Sequence, residues 1–240
     1  MSLNRWVICL FNLKIMKTTD SLRICALIPA YNEVDTIGYV VQGVKQYVDQ
    51  ILVIDDGSTD GTNIAARDAG AYCISINRNQ GKGIALRTGL QHIITQDFTH
   101  LLFVDGDGQH KPENIPNLVA EAQKTGADMV LGTRKFDQNK MPKERFLSNN
   151  VGSKITSWIV GREIYDSQCG FRLIKKEALQ QLKLKSKKYE IEMEILIKLC
   201  KLGMNIVHVP VELVYKDKKA TSKMKPIRDT VRICFWSLYF

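Results

Sequence analysis

Between Ile24 and Lys124 the chain repeats one pattern: a short apolar run, a loop of acids, glycines, hydroxyls or a lysine, then apolar residues at helical spacing. Ile24-Cys25-Ala26-Leu27-Ile28 leads into Pro29-Ala30-Tyr31-Asn32-Glu33 and a helix carrying Ile37, Val40, Val41, Val44 and Val48. Ile51-Leu52-Val53-Ile54 leads into Asp55-Asp56-Gly57-Ser58-Thr59-Asp60-Gly61-Thr62 and a helix over Asn63 to Ala69. Tyr72 to Ile76 leads into Asn77-Arg78-Asn79-Gln80-Gly81-Lys82-Gly83 and a helix over about Ile84 to Ile94. Leu101 to Val104 leads into Asp105-Gly106-Asp107-Gly108-Gln109-His110 and a helix over Pro112 to Lys124, with a fifth strand at Met129 to Leu131. Runs that are apolar throughout are strands covered on both faces, and their alternation with helices makes βα units. The pattern predicts an α/β fold built on an open, mostly parallel twisted sheet with helices on both faces. Its ligand site belongs outside the carboxyl ends of the strands, where the polar loops gather.

The loops differ in the chemistry they offer. Asp105 and Asp107, one residue apart after a buried strand, can turn toward one hard cation, and Gln109 adds a neutral oxygen. Mg²⁺ and Mn²⁺ take such oxygen donors and keep positions open for phosphates. In the third loop, backbone amides at a helix N-terminus together with Lys82 would make a seat for a diphosphate. The spacing is not that of a P-loop, and no Gly-x-Gly-x-x-Gly follows the first strand, which argues against a dinucleotide fold.

Charge bears on the partners. A net charge of +9 suits an anionic partner. Lys216, Lys218, Lys219, Lys223, Lys225 and Arg228 crowd a stretch whose single acid is Asp217, and Ile233, Phe235, Trp236, Leu238, Tyr239 and Phe240 follow. Basic residues leading into an aromatic-rich helix fit anionic lipid headgroups, so residues 216–240 are expected to form a basic loop and a C-terminal amphipathic helix lying on an anionic membrane surface. A nucleic-acid module is the non-enzymatic alternative. It lacks a recognition motif, and no nucleic acid is expected as partner. The six cysteines form no Cys-x-x-Cys pair, which points to reduced core thiols and a cytoplasmic protein. Arg5 to Met16 is apolar but too short to span a bilayer, so residues 1–22 read as a leader outside the fold, with Met1-Ser2-Leu3 as non-native and Met16 as an alternative start. Residues 23–215 then form one domain.

The four loop motifs, in this order, resemble those of the family 2 glycosyltransferases. Within that family the chain is most similar to the polyprenyl-phosphate (dolichol-phosphate mannose synthase-like) branch, over about Arg23 to Arg232. The resemblance implies a GT-A fold and an inverting transfer of a sugar from a nucleoside-diphosphate sugar to a polyprenyl phosphate, on the cytoplasmic face of a membrane. It implies nucleotide binding by Pro29, Tyr31, Glu33, Asp55, Asp56, Asp105 and Gly106. Mg²⁺ or Mn²⁺ would be held by Asp105, Asp107 and Gln109, and Lys82, Asp107 and Arg134 would carry catalysis. The acceptor phosphate would meet Arg134, Arg145, Ser148 and Lys223, since guanidinium forks match phosphate oxygens. Asp166-Ser167-Gln168-Cys169-Gly170-Phe171-Arg172 resembles a further family signature that structures the loop beside the site, with a structural salt bridge as the competing role for Arg172. A phosphate monoester is already largely dianionic at neutral pH, so positioning and charge neutralisation suffice without a base. The rival acceptor, a saccharide hydroxyl, would need one, and Glu192 or Glu194 are the candidates. The Gln-x-x-Arg-Trp signature of processive polysaccharide synthases is absent.

Overall fold

The computed structural model describes residues 22–134 and 143–213 and, of the last stretch, Asp229, Arg232, Ile233, Phe235, Trp236, Tyr239 and Phe240. Residues 1–21 of the leader and the basic stretch 216–228, with Lys223, lie outside the described residues. So do the side chains of Arg145 and Ser148.

The apolar runs form the expected strands: β1 Ile24–Ala30, β2 Gln50–Asp55, β3 Tyr72–Ser75, β4 His100–Phe103 and β5 Met129–Arg134. Between them lie α1 Val34–Lys45, α2 Thr62–Asp68, α3 Lys82–Ile93 and α4 Ile115–Thr125. The stretch expected as one helix from Pro112 opens as a 3₁₀ turn over Pro112–Asn114, and α4 begins with Pro116 in its first turn, where a missing N–H costs nothing. Then follow α5 Lys143–Val160, β6 Arg172–Lys175, α6 Lys176–Gln180, α7 Glu190–Lys201 and β7 Ile206–Val211.

The strands make a seven-stranded sheet in the order β3-β2-β1-β4-β6-β5-β7. β1 is parallel to β2 and β4, β2 to β3, and β5 to β7, whereas β6 runs antiparallel to both of its neighbours. The mostly parallel α/β sheet is therefore as expected. Pro210, which has no N–H to donate, sits in β7 at the edge, where that is tolerated. The helices pack closely on the sheet. α1 buries Ile37, Val40, Val41 and Val44, and α3 turns Gly89 toward β1, where a Cβ would collide with Leu27.

β6 was not expected, and it positions the site. Being antiparallel, it enters the sheet at the carboxyl end of β4, with Arg172 paired to Phe103 on one side and Leu131 on the other. The segment just before it, residues 166–171, is thereby drawn past the end of β4, where Asp105 and Asp107 begin.

Candidate active site

The first two loops are stitched into one wall. Asn32 takes the left-handed conformation (φ 50°) that asparagine tolerates best among residues with a Cβ. Its amide donates to Ser58 Oγ (2.8 Å), and its side-chain oxygen accepts from the Thr59 amide (2.9 Å). The Glu33 amide donates to Thr62 Oγ1 and the Val34 amide to Asp60 Oδ2. Burial pushes the Asp60 carboxyl up, but the Thr62 hydroxyl and the Val34 and Thr62 amides bring it below the ordinary range. Asp55 accepts the Ser58 amide (3.0 Å).

Asp56 fixes the third loop, accepting the amides of Gln80 (2.9 Å) and Gly81 (2.7 Å). Burial raises its carboxyl above the ordinary range, the two amides oppose that, and the neighbouring Asp55 adds to it. The Ile84 amide donates to Gly81 O and to Lys187 O, and a Cβ on Gly83 would stand 2.7 Å from Ser186 O. Within the expected diphosphate seat, the amides of Gln80, Gly81 and Ile84 serve Asp56 and two carbonyls, and residues 186–188 lie against the α3 terminus. This loop lines the cleft with Asn79, Gly81 and Lys82.

Lys82 Nζ lies 2.5 Å from Asp105 Oδ1 and 2.9 Å from Glu192 Oε1, with its side chain 14 % exposed. Burial alone would lower the lysine's pKa, but the two carboxylates outweigh it and hold the ammonium charged. Burial would likewise raise Asp105, yet Lys82 and His110 hold it well below the carboxylate range. Asp107 moves the other way, raised by burial and then by the charge of Asp105. His110 stacks on Phe171 (centroids 5.0 Å apart, 13° between planes), and its Nε2 is 3.5 Å from Asp105 Oδ2. The Thr36 hydroxyl donates to the Gly106 carbonyl (2.7 Å), tying this loop to α1.

The β6 approach supplies the back of the site. A Cβ on Gly170 would lie 2.6 Å from Asp105 Oδ2 and 2.8 Å from Glu192 Oε1, so only glycine fits there without shifting those carboxylates. Arg172 is wholly buried and makes no salt bridge among the described residues. Its guanidinium donates to the carbonyls of Cys169 (2.7 Å), Glu192 (2.6 Å) and Ser167 (2.8 Å). Glu194 is equally structural, accepting the Lys185 and Ser186 amides and the Lys198 ammonium.

A cleft of about 310 Å³ opens between these loops, a size suited to a small ligand. Of the residues singled out in the sequence, Pro29, Tyr31, Glu33, Asp56, Lys82, Asp105, Gly106 and Asp107 line it. Asp55 and Gln109 stand outside the lining; the Gln109 amide donates to Asp107 Oδ1 (3.0 Å). Arg134 also stands apart, with Nε and Nη2 on the fully buried Asp166 at 2.6 and 2.7 Å. Lys188 and Tyr189, which line the cleft, were not among the expected site residues; Glu192, expected only as a base for a hydroxyl acceptor, and Gly170, expected in the loop beside the site, close its back.

Among the described residues no three His, Cys, Asp or Glu are grouped to hold a metal ion. The pair Asp105 and Asp107 nevertheless fits a hard divalent cation. Asp105 already draws a cation, the Lys82 ammonium, and the pair leaves the remaining oxygen donors to come from water or a ligand phosphate, as Mg²⁺ and Mn²⁺ prefer.

Residues 25–183 match the profile of glycosyl transferase family 2. The chain is 31 % identical to the UDP-N-acetylglucosamine–dolichyl-phosphate N-acetylglucosaminyltransferase of Methanococcus voltae, over 80 % of this chain and 85 % of that one. It is 29 % identical to the undecaprenyl-phosphate mannosyltransferase of Micrococcus luteus, over 82 % of this chain and 85 % of that one. Its fold resembles glucosyl-3-phosphoglycerate synthase of Mycobacterium tuberculosis, solved with Mn²⁺, uridine diphosphate and phosphoglyceric acid. The TM-score is 0.69 at 21 % identity, covering 90 % of this chain and 76 % of that one.

Proposed function

The chain belongs to glycosyl transferase family 2, and from that premise we propose that it moves a sugar from a nucleoside-diphosphate sugar to a polyprenyl phosphate with inversion at the anomeric carbon. The observation that carries this reading is the charge arrangement at the sheet's carboxyl edge. Asp105 and Asp107 share the cleft with a buried lysine, and the two acids that a hydroxyl acceptor would call on as base, Glu192 and Glu194, are both engaged elsewhere. Glu194 is spent on two amides and Lys198, and Glu192 on Lys82. A phosphate acceptor needs no base, whereas a saccharide hydroxyl would. The relatives named for undecaprenyl and dolichyl phosphate support the same acceptor class.

In this mechanism the wall from Pro29 to Glu33 and Asp56 receives the nucleoside, and Asp105 and Asp107 would hold Mg²⁺ or Mn²⁺. When bound, that cation neutralises charge growing on the leaving diphosphate. Lys82 adds a second positive charge at the same place. Arg134, braced by Asp166, together with Arg145, Ser148 and Lys223, is proposed to orient the acceptor phosphate in line with the sugar.

The acceptor's lipid tail calls for a membrane surface. Among the described residues no helix is long and apolar enough to cross a bilayer. Phe235, Trp236 and Tyr239 are exposed and cluster with ring centroids 5.3–6.3 Å apart, while Ile233 is buried in the core and Arg232 grips both oxygens of Glu190. On α5, Leu147, Val151 and Trp158 fall on one helical face and are exposed, Trp158 by 78 %. These aromatic and apolar faces support peripheral docking on a membrane, which we place on its cytoplasmic face.

The test is transfer from a panel of labelled nucleoside-diphosphate sugars to a short polyprenyl phosphate, with and without a chelator, and with the product's anomeric configuration read by NMR. Label in the lipid product, lost on chelation and inverted, is expected. Transfer to free saccharides but not to the lipid phosphate would overturn the acceptor assignment.

A further inference from the structure

We infer that Lys82 is the resident cation of the metal site: its ammonium occupies Asp105 until a divalent cation arrives and then withdraws to Glu192, which serves as its holding residue. The inference rests on the metal reading of Asp105 and Asp107 given above and goes beyond it in assigning a role to Glu192.

Three observations carry it. First, one ammonium contacts two carboxylates at once, Asp105 at 2.5 Å and Glu192 at 2.9 Å, so it can release one and keep the other. Second, the carboxylates are held and the lysine is not. Gly170 stands behind both acids so closely that a single added methyl would meet each oxygen. Asp105 is steadied further by His110 Nε2, and the Glu192 backbone by Arg172 Nη1. The lysine reaches them from the start of α3 on a four-carbon stem with several rotatable bonds, and it borders open cleft. Third, neutralisation is lopsided. Asp105 has the ammonium and the imidazole beside it, whereas among the described residues no ion pair reaches Asp107. An arriving cation therefore meets Asp107 with no ion pair among the described residues and Asp105 as an occupied one. Two cations cannot share Asp105 at contact distance without strong repulsion, so the mobile one must yield. From Glu192 its ammonium still faces the cleft and the diphosphate.

Binding of Mn²⁺ alone, followed by the EPR signal of the free ion, tests this without reference to transfer. Lys82→Met keeps the stem and removes the competitor, and should bind Mn²⁺ about tenfold more tightly than the wild type. Glu192→Gln takes away the alternative seat, leaves the ammonium on Asp105, and should bind about tenfold more weakly. If Glu192 acts only through the lysine, the double variant should match Lys82→Met to within about threefold. Unchanged or weaker binding in Lys82→Met overturns the inference. So does an undiminished loss in the double variant, which would make Glu192 a ligand in its own right. If no variant and no wild-type protein binds Mn²⁺, the metal reading itself falls, and the inference with it. Should Lys82→Met melt too low to titrate, its midpoint is followed on adding Mn²⁺. Recovery at a concentration that leaves the wild type unshifted supports the competition, and no recovery refutes it.

Discussion

Replacing Arg172 with methionine tests whether the site's back wall hangs on one guanidinium. The side chain is fully buried and donates to three carbonyls: Ser167 and Cys169 in the loop before β6, and Glu192 in the first turn of α7. Methionine matches its length and apolar stem but leaves those carbonyls without this donor. The Glu192 carbonyl, inside α7, keeps the helical amide four residues on, so two loop acceptors are left, and at about 1–3 kcal/mol each they cost roughly 2–6 kcal/mol. Two effects lower that sum. Methionine avoids the desolvation of a buried cation that has no carboxylate partner, and carbonyls near a cleft recover part of their loss from water. A net loss of about 2–4 kcal/mol remains, or about 4–16 °C in the melting midpoint of a chain this size. Scanning calorimetry on Arg172→Met and Arg172→Lys is the assay. Lysine retains the charge and some of the bonds and should fall between methionine and the wild type. A midpoint within about 2 °C of the wild type in the methionine variant would refute the reasoning, because the three bonds would then contribute nothing net.

Asp107→Asn should abolish transfer yet raise the melting midpoint of the metal-free protein at pH 7. The folded pKa of Asp107 is raised, so its stabilising form is the protonated one, which is lost as pH climbs past the unfolded value, and at neutral pH the charge only destabilises. Retained turnover with saturating Mg²⁺ would sink the metal assignment, and a lowered midpoint the electrostatic one. His100 is buried, its pKa lowered to about 4 by desolvation and then by Lys175, so the stability it confers is present above the unfolded value of 6.5 and lost as pH falls through about 4. That shift corresponds to about 3 kcal/mol, and denaturant titrations at pH 7 and pH 4 should show the loss in the wild type and a smaller one in His100→Gln. Charge reversal at Lys216, Lys218 and Lys219 should lower flotation with anionic vesicles and slow transfer to a long-chain lipid phosphate while sparing a soluble short-chain one. Equal losses on both acceptors would move those lysines into the active site.

The strands and their loops could be read from the sequence because their signals are local. A run such as Ile51-Leu52-Val53-Ile54 has one stable place in a sheet, and the acids and glycines after it must then gather at one edge. The parts that escaped depend on contacts distant in the chain. β6 is four residues with a charge at each end, which reads as surface, and Arg172 becomes a core residue only because carbonyls up to 20 positions away converge on it. Helix α5 was not expected, since its apolar residues are spread thinly and several face outward. The amides of Gln80 and Gly81 read as an open anion seat until Asp56 is brought over them. Arg134 presents the same difficulty: its motif resembles a phosphate ligand, and nothing near it in sequence announces the bidentate contact with Asp166, 32 residues later. Gly170 alone left a usable trace. A glycine inside a polar signature just ahead of a strand marks a close approach, though not what is approached.

The distribution of charge explains why donor and acceptor would be recognised by different means. The cleft lining carries four carboxylates, Glu33, Asp56, Asp105 and Asp107, against two lysines, Lys82 and Lys188, in a chain whose net charge is +9. A nucleoside diphosphate is itself anionic, so a cleft of this sign repels it unless a divalent cation enters too. Donor binding on the proposed reading is therefore coupled to the cation. Lys82 cannot replace that coupling, because its single charge is already divided between Asp105 and Glu192. In the sequence much of the excess positive charge falls between Lys216 and Arg228, the stretch proposed to meet a lipid surface. Raising ionic strength should then weaken the two steps unequally. Exposed lysines facing a membrane are screened over about 8 Å at physiological salt, whereas an ion held between partly buried carboxylates is screened far less. The salt dependence of vesicle binding should accordingly be steep and that of Mn²⁺-dependent nucleotide binding shallow. Equal slopes would mean that the basic stretch, and not the acidic cleft, receives the nucleotide.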